Sequence, residues 1–154
     1  MISPLLLSAV LLAGGRTMSS SSPVPLSAAT DQVVYQAGQN TFIGITKVTL
    51  NGHGQAEVTH TRGKTTESYQ GTLTPAVRQQ IAAALARAFR APLNLDAYRP
   101  TADEAQIKVQ LEAGGQNRTL TFWQNQAEGN TTLEALNSAF QAAAKQISKG
   151  KVTY

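Results

Sequence analysis

Gln106-Ile107-Lys108-Val109-Gln110-Leu111-Glu112 alternates polar and apolar side chains without a break. Successive side chains of a strand point to opposite faces, so this stretch predicts a strand with one buried and one wet face. Ala113-Gly114-Gly115-Gln116 supplies a turn, and Arg118 to Trp123 returns with Leu120 and Phe122 facing inward. Trp123 falls on the opposite face, where it either packs against a neighbouring strand, the expected role, or stands as an exposed contact residue. Two such strands form an antiparallel hairpin, and its apolar face needs a covering layer.

Helices on either side of the hairpin provide that layer. Thr74-Pro75 opens one, with Thr as N-cap and Pro at the first helical position. Val77, Ile81, Leu85 and Phe89 recur every fourth residue as a core-facing stripe, and Ala91-Pro92 ends the helix. Leu93 to Asp103 reads as an irregular crossing to the hairpin. Thr131-Thr132-Leu133-Glu134 opens the last helix with a capping box predicted between Thr131 and Glu134. Leu133, Leu136, Phe140, Ala143 and Ile147 form its apolar face, and Gly150 ends it.

Ahead of the first helix the pattern is a meander. Gln32 to Gln36 is a short strand stopped by Ala37-Gly38-Gln39-Asn40. Thr41 to Leu50 follows, with Ile43 and Ile45 on one face and Val48 and Leu50 on the other. That slip in a period of two predicts a bulge or bend near Thr46. Asn51-Gly52-His53-Gly54 is a hairpin turn, Gln55 to Thr61 returns, Arg62-Gly63-Lys64 turns again, and Thr65 to Thr72 completes it. The expected architecture is α+β: an antiparallel sheet of five or six strands with two amphipathic helices packed on one face. It forms one domain over residues 31–150, with residues 151–154 as a tail.

The first thirty residues read differently. Pro4 to Ala13 is an apolar run shorter than the roughly 20 residues needed to cross a bilayer. It fits the core of a secretory signal, which takes roughly 7–15. Ala13 and Gly15 are the small residues a signal peptidase wants, so residues 1–15 are expected to be a signal peptide. Leu12-Ala13-Gly14 is lipobox-like, but Gly15 stands where a lipoprotein has its anchor cysteine. The chain has no cysteine at all, which excludes thioether anchors, disulfides and thiolate chemistry. Residues 16–30, rich in Ser and Pro, read as a leader. The expected location is exported: periplasmic, cell-envelope or secreted, with membrane contact only through an uncut signal segment.

Net charge is +4 over 154 residues. Arg78, Arg87 and Arg90 point at about 100°, 280° and 220° around their helix and make no basic stripe. Nucleic-acid binding, which wants a concentrated basic surface, is not expected. Catalytic groups are sparse too. His53 and His60 are the only histidines, and no HExxH pair accompanies them. No Gly-x-Ser-x-Gly elbow occurs. Ala113-Gly114-Gly115 joins strand to strand, whereas phosphate loops join strand to helix. Asp96, Asp103 and Glu104 are acidic residues near the irregular crossing that could form a carboxylate pair, but Asp103 and Glu104, just before a strand, read as turn and edge residues. The expectation is a non-catalytic chain with no metal and no cofactor. The alanines at 82, 83, 84, 86 and 88 favour close packing over a roomy ligand cavity.

The order of motifs resembles a family. Val33-Val34-Tyr35, leading through Gly38 to Thr41-Phe42-Ile43-Gly44-Ile45, is similar to the strand and Gly-Gly-Phe-x-Gly loop of emfourin-like proteins, bacterial inhibitors of thermolysin-like metalloproteases. Ala102-Asp103-Glu104-Ala105-Gln106-Ile107-Lys108-Val109 is similar to that family's Asp before an alternating strand. The resemblance covers about residues 32 to 148. Asn40-Thr41 stands where the family favours Gly-Gly, and the meander from Asn51 to Thr72 is longer. The resemblance implies a protein partner, a thermolysin-like metalloprotease, bound through Gly38, Gln39, Asn40, Thr41, Phe42, Ile43 and Gly44. Read simply as strand, Phe42 and Ile43 would instead belong to the core. The alternative function is a structural or accessory protein of the bacterial cell envelope without inhibitory activity. Oligomeric state is left open by the sequence.

Overall fold

The computed structural model describes residues 26, 30–39, 43–90 and 93–152. The expected signal peptide lies outside the described residues, as does most of the leader. Its Leu26 packs against the core.

Four strands form the meander: β1 (Gln32–Gln39), β2 (Gly44–Asn51), β3 (Gln55–Arg62) and β4 (Thr65–Thr72). Helix α1 (Pro75–Arg90) follows, then β5 (Gln106–Ala113), β6 (Gln116–Trp123), a short α2 (Gln124–Ala127) and α3 (Thr131–Ile147). The strands make one antiparallel sheet in the order β4-β3-β2-β1-β5-β6. The fold is α+β as expected, with α2 as an addition to the two long helices. At four residues, α2 is too short to show a periodicity in sequence.

The turns follow their glycines. Gly63 has φ +60 and Lys64 is not left-handed, the pattern of a two-residue type II′ hairpin. Gly114 and Gly115 both have positive φ, as a type I′ turn requires. The side chain of Asn51 folds the β2–β3 turn by accepting from the backbone N–H of His53 and Gln55, each at 3.0 Å.

Three register rows carry the inner face. Val33, Leu50 and Ala56 form one, and Tyr35, Val48 and Val58 the next. Both continue into β5, through Leu111 and Val109 respectively. Buried Ile81 and Leu85 of α1, and Leu133, Leu136 and Phe140 of α3, complete the core. Each such side chain contributes about 1.5–3 kcal/mol on leaving water. Helix α3 lies across β2, β3 and β4, and α1 packs along α3. Buried Ala84 and Ala88 on α1, with Ala139 and Ala143 on α3, leave room for this close approach.

Several sequence expectations are corrected. β1 runs on to Gln39 instead of stopping at Gln36. β2 begins at Gly44, and its pairing with β1 and β3 is regular, so no bulge lies at Thr46. The phase slip arises because an inward position holds a polar residue: Thr46 is 2% exposed, in phase with Val48 and Leu50, while Ile45 faces outward. The last helix is capped by Asn130, whose side chain accepts from Thr132 and Leu133, and not by Thr131. Glu134 instead accepts from the Gly129 N–H. Val152, expected in a tail, is buried, and its N–H donates to Ser148 Oγ at 3.0 Å.

Candidate functional site

The third inner row, at the end of the sheet beside the β1–β2 loop, differs from the other two. It runs Ile107, Ala37, Thr46, His60, Glu67 across β5, β1, β2, β3 and β4. Polar residues take the place of the branched aliphatics found in the other rows. Thr46 Oγ1 and His60 Nδ1 lie 2.8 Å apart, so the polar pair satisfies itself inside the sheet. Glu67, on the other side of His60, has its carboxylate engaged by the Tyr69 hydroxyl at 3.0 Å. The order Thr–His–Glu brings a hydroxyl, an imidazole and a carboxylate into register. The nearly inaccessible Thr46 hydroxyl serves there as a structural partner of the imidazole.

Between this row and α3 opens a cleft of about 120 Å³. One wall is Ala37, Gly38, Ile43, Gly44 and Thr46, and the floor includes Tyr35 and Ile107. Asn137 and Gln141, one turn apart on α3, form the opposite wall with Gln124 and Ala105. The Tyr35 hydroxyl donates to Asn137 Oδ1 at 2.5 Å, which joins β1 to α3 at the base of the cleft. The lining is therefore apolar with hydrogen-bonding groups, His60 among them. Such a cleft suits a compact neutral group that is apolar along its sides and polar at one end.

The loop residues singled out from sequence divide as follows. Gly38 and Gln39 end β1, Ile43 is in the turn before β2, and Gly44 opens β2. Asn40, Thr41 and Phe42 lie outside the described residues. Gly38 pairs with Ile45 and Gln39 with Gly44. Gly38 has φ +126, and a Cβ there would collide with the Gly44 carbonyl oxygen. Gly44 has φ +90, and a Cβ would lie 2.6 Å from the Thr61 carbonyl oxygen and 3.1 Å from the His60 ring. Only glycine satisfies both the angles and the space at these two positions. Ile43 is held between these anchors and is 62% exposed, the only large hydrophobic so exposed among the described residues.

The base of the loop is tied down by Glu104, which is buried and is not an edge residue. Glu104 is 4% exposed. Its carboxylate accepts from the Tyr98 hydroxyl at 2.7 Å, from Thr101 N–H at 3.0 Å and from Asn125 N–H at 2.8 Å. Its backbone carbonyl accepts from the side chain of Gln39, the last residue of β1. Burial pushes the carboxyl pKa up, but the hydrogen bonds from Tyr98, Thr101, Asn125 and Gln126 outweigh it and hold it below its usual value. The Tyr98 hydroxyl is correspondingly pushed up, first by burial and then by its bond to Glu104. No short sequence motif marks this cluster, because its partners come from both sides of β5 and β6.

The remaining candidates are scattered. His53 is exposed in the β2–β3 turn, while Asp96 and Asp103 are exposed along the crossing. Among the described residues no group of three or more His, Cys, Asp or Glu is placed to hold a metal ion. None of the described helices is long and apolar enough to cross a membrane. A shallower hollow of about 550 Å³ at the far end of the sheet is lined by polar residues including Gln32, Asn51, Gln55 and Gln70. Neither protein-family models nor curated proteins give a match to this chain.

Proposed function

We propose that this chain is an exported, non-catalytic domain that binds a protein partner through the Gly38–Gly44 loop, and that the partner is a thermolysin-like metalloprotease. The observation that carries the reading is Ile43: a large aliphatic side chain left in water on a loop whose two ends are pinned. Ile43 is the one large hydrophobic left mostly exposed among the described residues, and it borders the cleft lined by Tyr35, Thr46 and Asn137. The described ends of the loop are held by the close Gly38–Gly44 approach and by the Gln39–Glu104 bond. An aliphatic anchor of this kind suits a protease cleft that prefers bulky apolar side chains. The likeness of the Gly38–Ile45 stretch to emfourin-like loops adds the choice of protease. Export rests on the character of residues 1–15.

The test is inhibition of a thermolysin-like protease by the purified chain at micromolar concentration, with Ile43→Asp beside it. Inhibition by the parent chain, weakened at least tenfold by the substitution, supports the proposal. Absence of inhibition, with the chain retained by envelope components instead, favours the structural or accessory alternative.

A further inference from the structure

β4 is an edge strand, since the sheet order ends with it. Seven of its eight residues are exposed. Natural edge strands are usually blunted by lysine, proline, a bulge or shortness, because their unpaired backbone groups recruit other strands. Thr65-Thr66-Glu67-Ser68-Tyr69-Gln70-Gly71-Thr72 is eight residues long with no lysine, proline or bulge, and its one charge, Glu67, lies in the inner row beside His60. It pairs with β3 at every position. Its threonines and tyrosine favour strand conformation.

The register shows which groups point outward. A two-residue hairpin makes its flanking residues, Arg62 and Thr65, a hydrogen-bonded pair. Such pairs then alternate, so the backbone groups of residues 65, 67, 69 and 71 face β3. Those of Thr66, Ser68, Gln70 and Thr72 face away from the sheet, and no described strand lies beyond them.

We propose that this edge is a self-association site, on which a second copy of the chain adds its own β4 antiparallel about a two-fold axis normal to the sheet. One register uses every outward group. It centres on Tyr69, places Thr66 opposite Thr72 of the second copy and Ser68 opposite Gln70, and forms roughly eight interchain hydrogen bonds. Residues opposite one another then share a face, as an antiparallel pair requires. Glu67, the only charge on the strand, meets Gly71 of the second copy, so no like charges oppose. Tyr69 meets its own counterpart across a non-hydrogen-bonded pair, where Cα atoms approach to about 4.5 Å. Lys151, whose Nζ lies 5.8 Å from the Tyr69 ring centroid, sits beside this tyrosine pair. The symmetry keeps both helix layers on one face of a continuous sheet, the isologous arrangement commonest among homodimers.

The absence of cysteine makes the test clean. The full chain carrying Tyr69→Cys is oxidised mildly beside Thr119→Cys on the opposite edge strand, and sedimentation of the parent chain is followed with concentration. The proposal expects a monomer–dimer equilibrium, disulfide-linked dimer from Tyr69→Cys and at least tenfold less from Thr119→Cys. Ser68→Pro, which removes an outward N–H and none that faces β3, is expected to weaken the dimer at least tenfold. Hydrogen exchange of the parent chain covers the case of a variant that fails to fold. The amides of residues 66, 68, 70 and 72 are expected to slow at least tenfold as concentration rises. A chain that stays monomeric to several hundred micromolar overturns the proposal. So does a dimer that leaves those four amides unchanged, or an edge that pairs only with an added extended peptide.

Discussion

Tyr35 of β1 and Phe140 of α3 stack with ring centroids 4.6 Å apart and planes within 9° of parallel. The stack fixes the distance between sheet and helix at the floor of the cleft, and the Tyr35 hydroxyl fixes the rotation of α3 through Asn137. Packing and polar satisfaction meet in one side chain, so two substitutions separate them. Tyr35→Phe keeps the ring and loses the bond to Asn137, with an expected cost of about 0.5–1.5 kcal/mol. Tyr35→Ala empties the floor and is expected to cost roughly 3–5 kcal/mol. Urea denaturation of both variants measures the difference.

The two glycines of the loop are expected to fail differently from ordinary surface positions. Gly38→Ala and Gly44→Ala each place a Cβ in a positive-φ residue and against backbone oxygen. The strain is worth about 1–3 kcal/mol at each site, before any movement of the loop. Gly63→Ala, also at positive φ but with nothing within 4 Å of its Cβ, is the control for the conformational part alone. Thermal melts of the three variants are expected to rank Gly63→Ala as the mildest.

The capping of α3 distinguishes neighbouring residues. Asn130 accepts from two backbone N–H groups, at 3.1 and 3.2 Å, and its replacement by Ala is expected to cost about 1 kcal/mol. Thr131→Ala, at an exposed position inside the first turn, is expected to stay within about 0.5 kcal/mol of the parent. Equal losses at both positions in a denaturant titration would contradict this assignment of the cap.

Glu104 makes stability depend on pH with a definite sign. Burial opposes ionisation of its carboxyl, but the hydrogen bonds it accepts win, and its folded pKa lies below the ordinary 4.5. A carboxylate depressed on folding adds stability that is fully present above its unfolded value and is lost as pH falls through the folded value. Melting temperature is therefore expected to drop as pH is lowered beneath about 4.5. Glu104→Gln is expected to be less stable than the parent at neutral pH, and the gap between the two is expected to narrow in acid.

The parts of the fold legible in the sequence are those set by local periodicity. Alternation in β5 and the four-residue stripe from Val77 to Phe89 each reflect a single element facing a core. Thr46 defeats that reading, because its inward hydroxyl is acceptable only with His60 beside it on another strand. A local pattern cannot record such a partner, so the polar residue reads as a bulge. Glu104 is hidden for the same reason, since its donors come from residues 98 and 101 before β5 and from 125 and 126 after β6. At the candidate site the glycines were legible and the cleft was not. Gly38 and Gly44 announce a special backbone, whereas Asn137 and Gln141 reach the loop only through the placement of α3.

The central claim is that the loop between β1 and β2 carries the partner-binding surface, with Ile43 as its exposed anchor. The most direct test measures inhibition of a thermolysin-like metalloprotease by the parent chain and by Ile43→Asp, with melting curves showing both folded. Inhibition at micromolar concentration and at least a tenfold loss in the variant, at an unchanged melting temperature, are expected. Equal inhibition by the two proteins, or none by either, would contradict the claim.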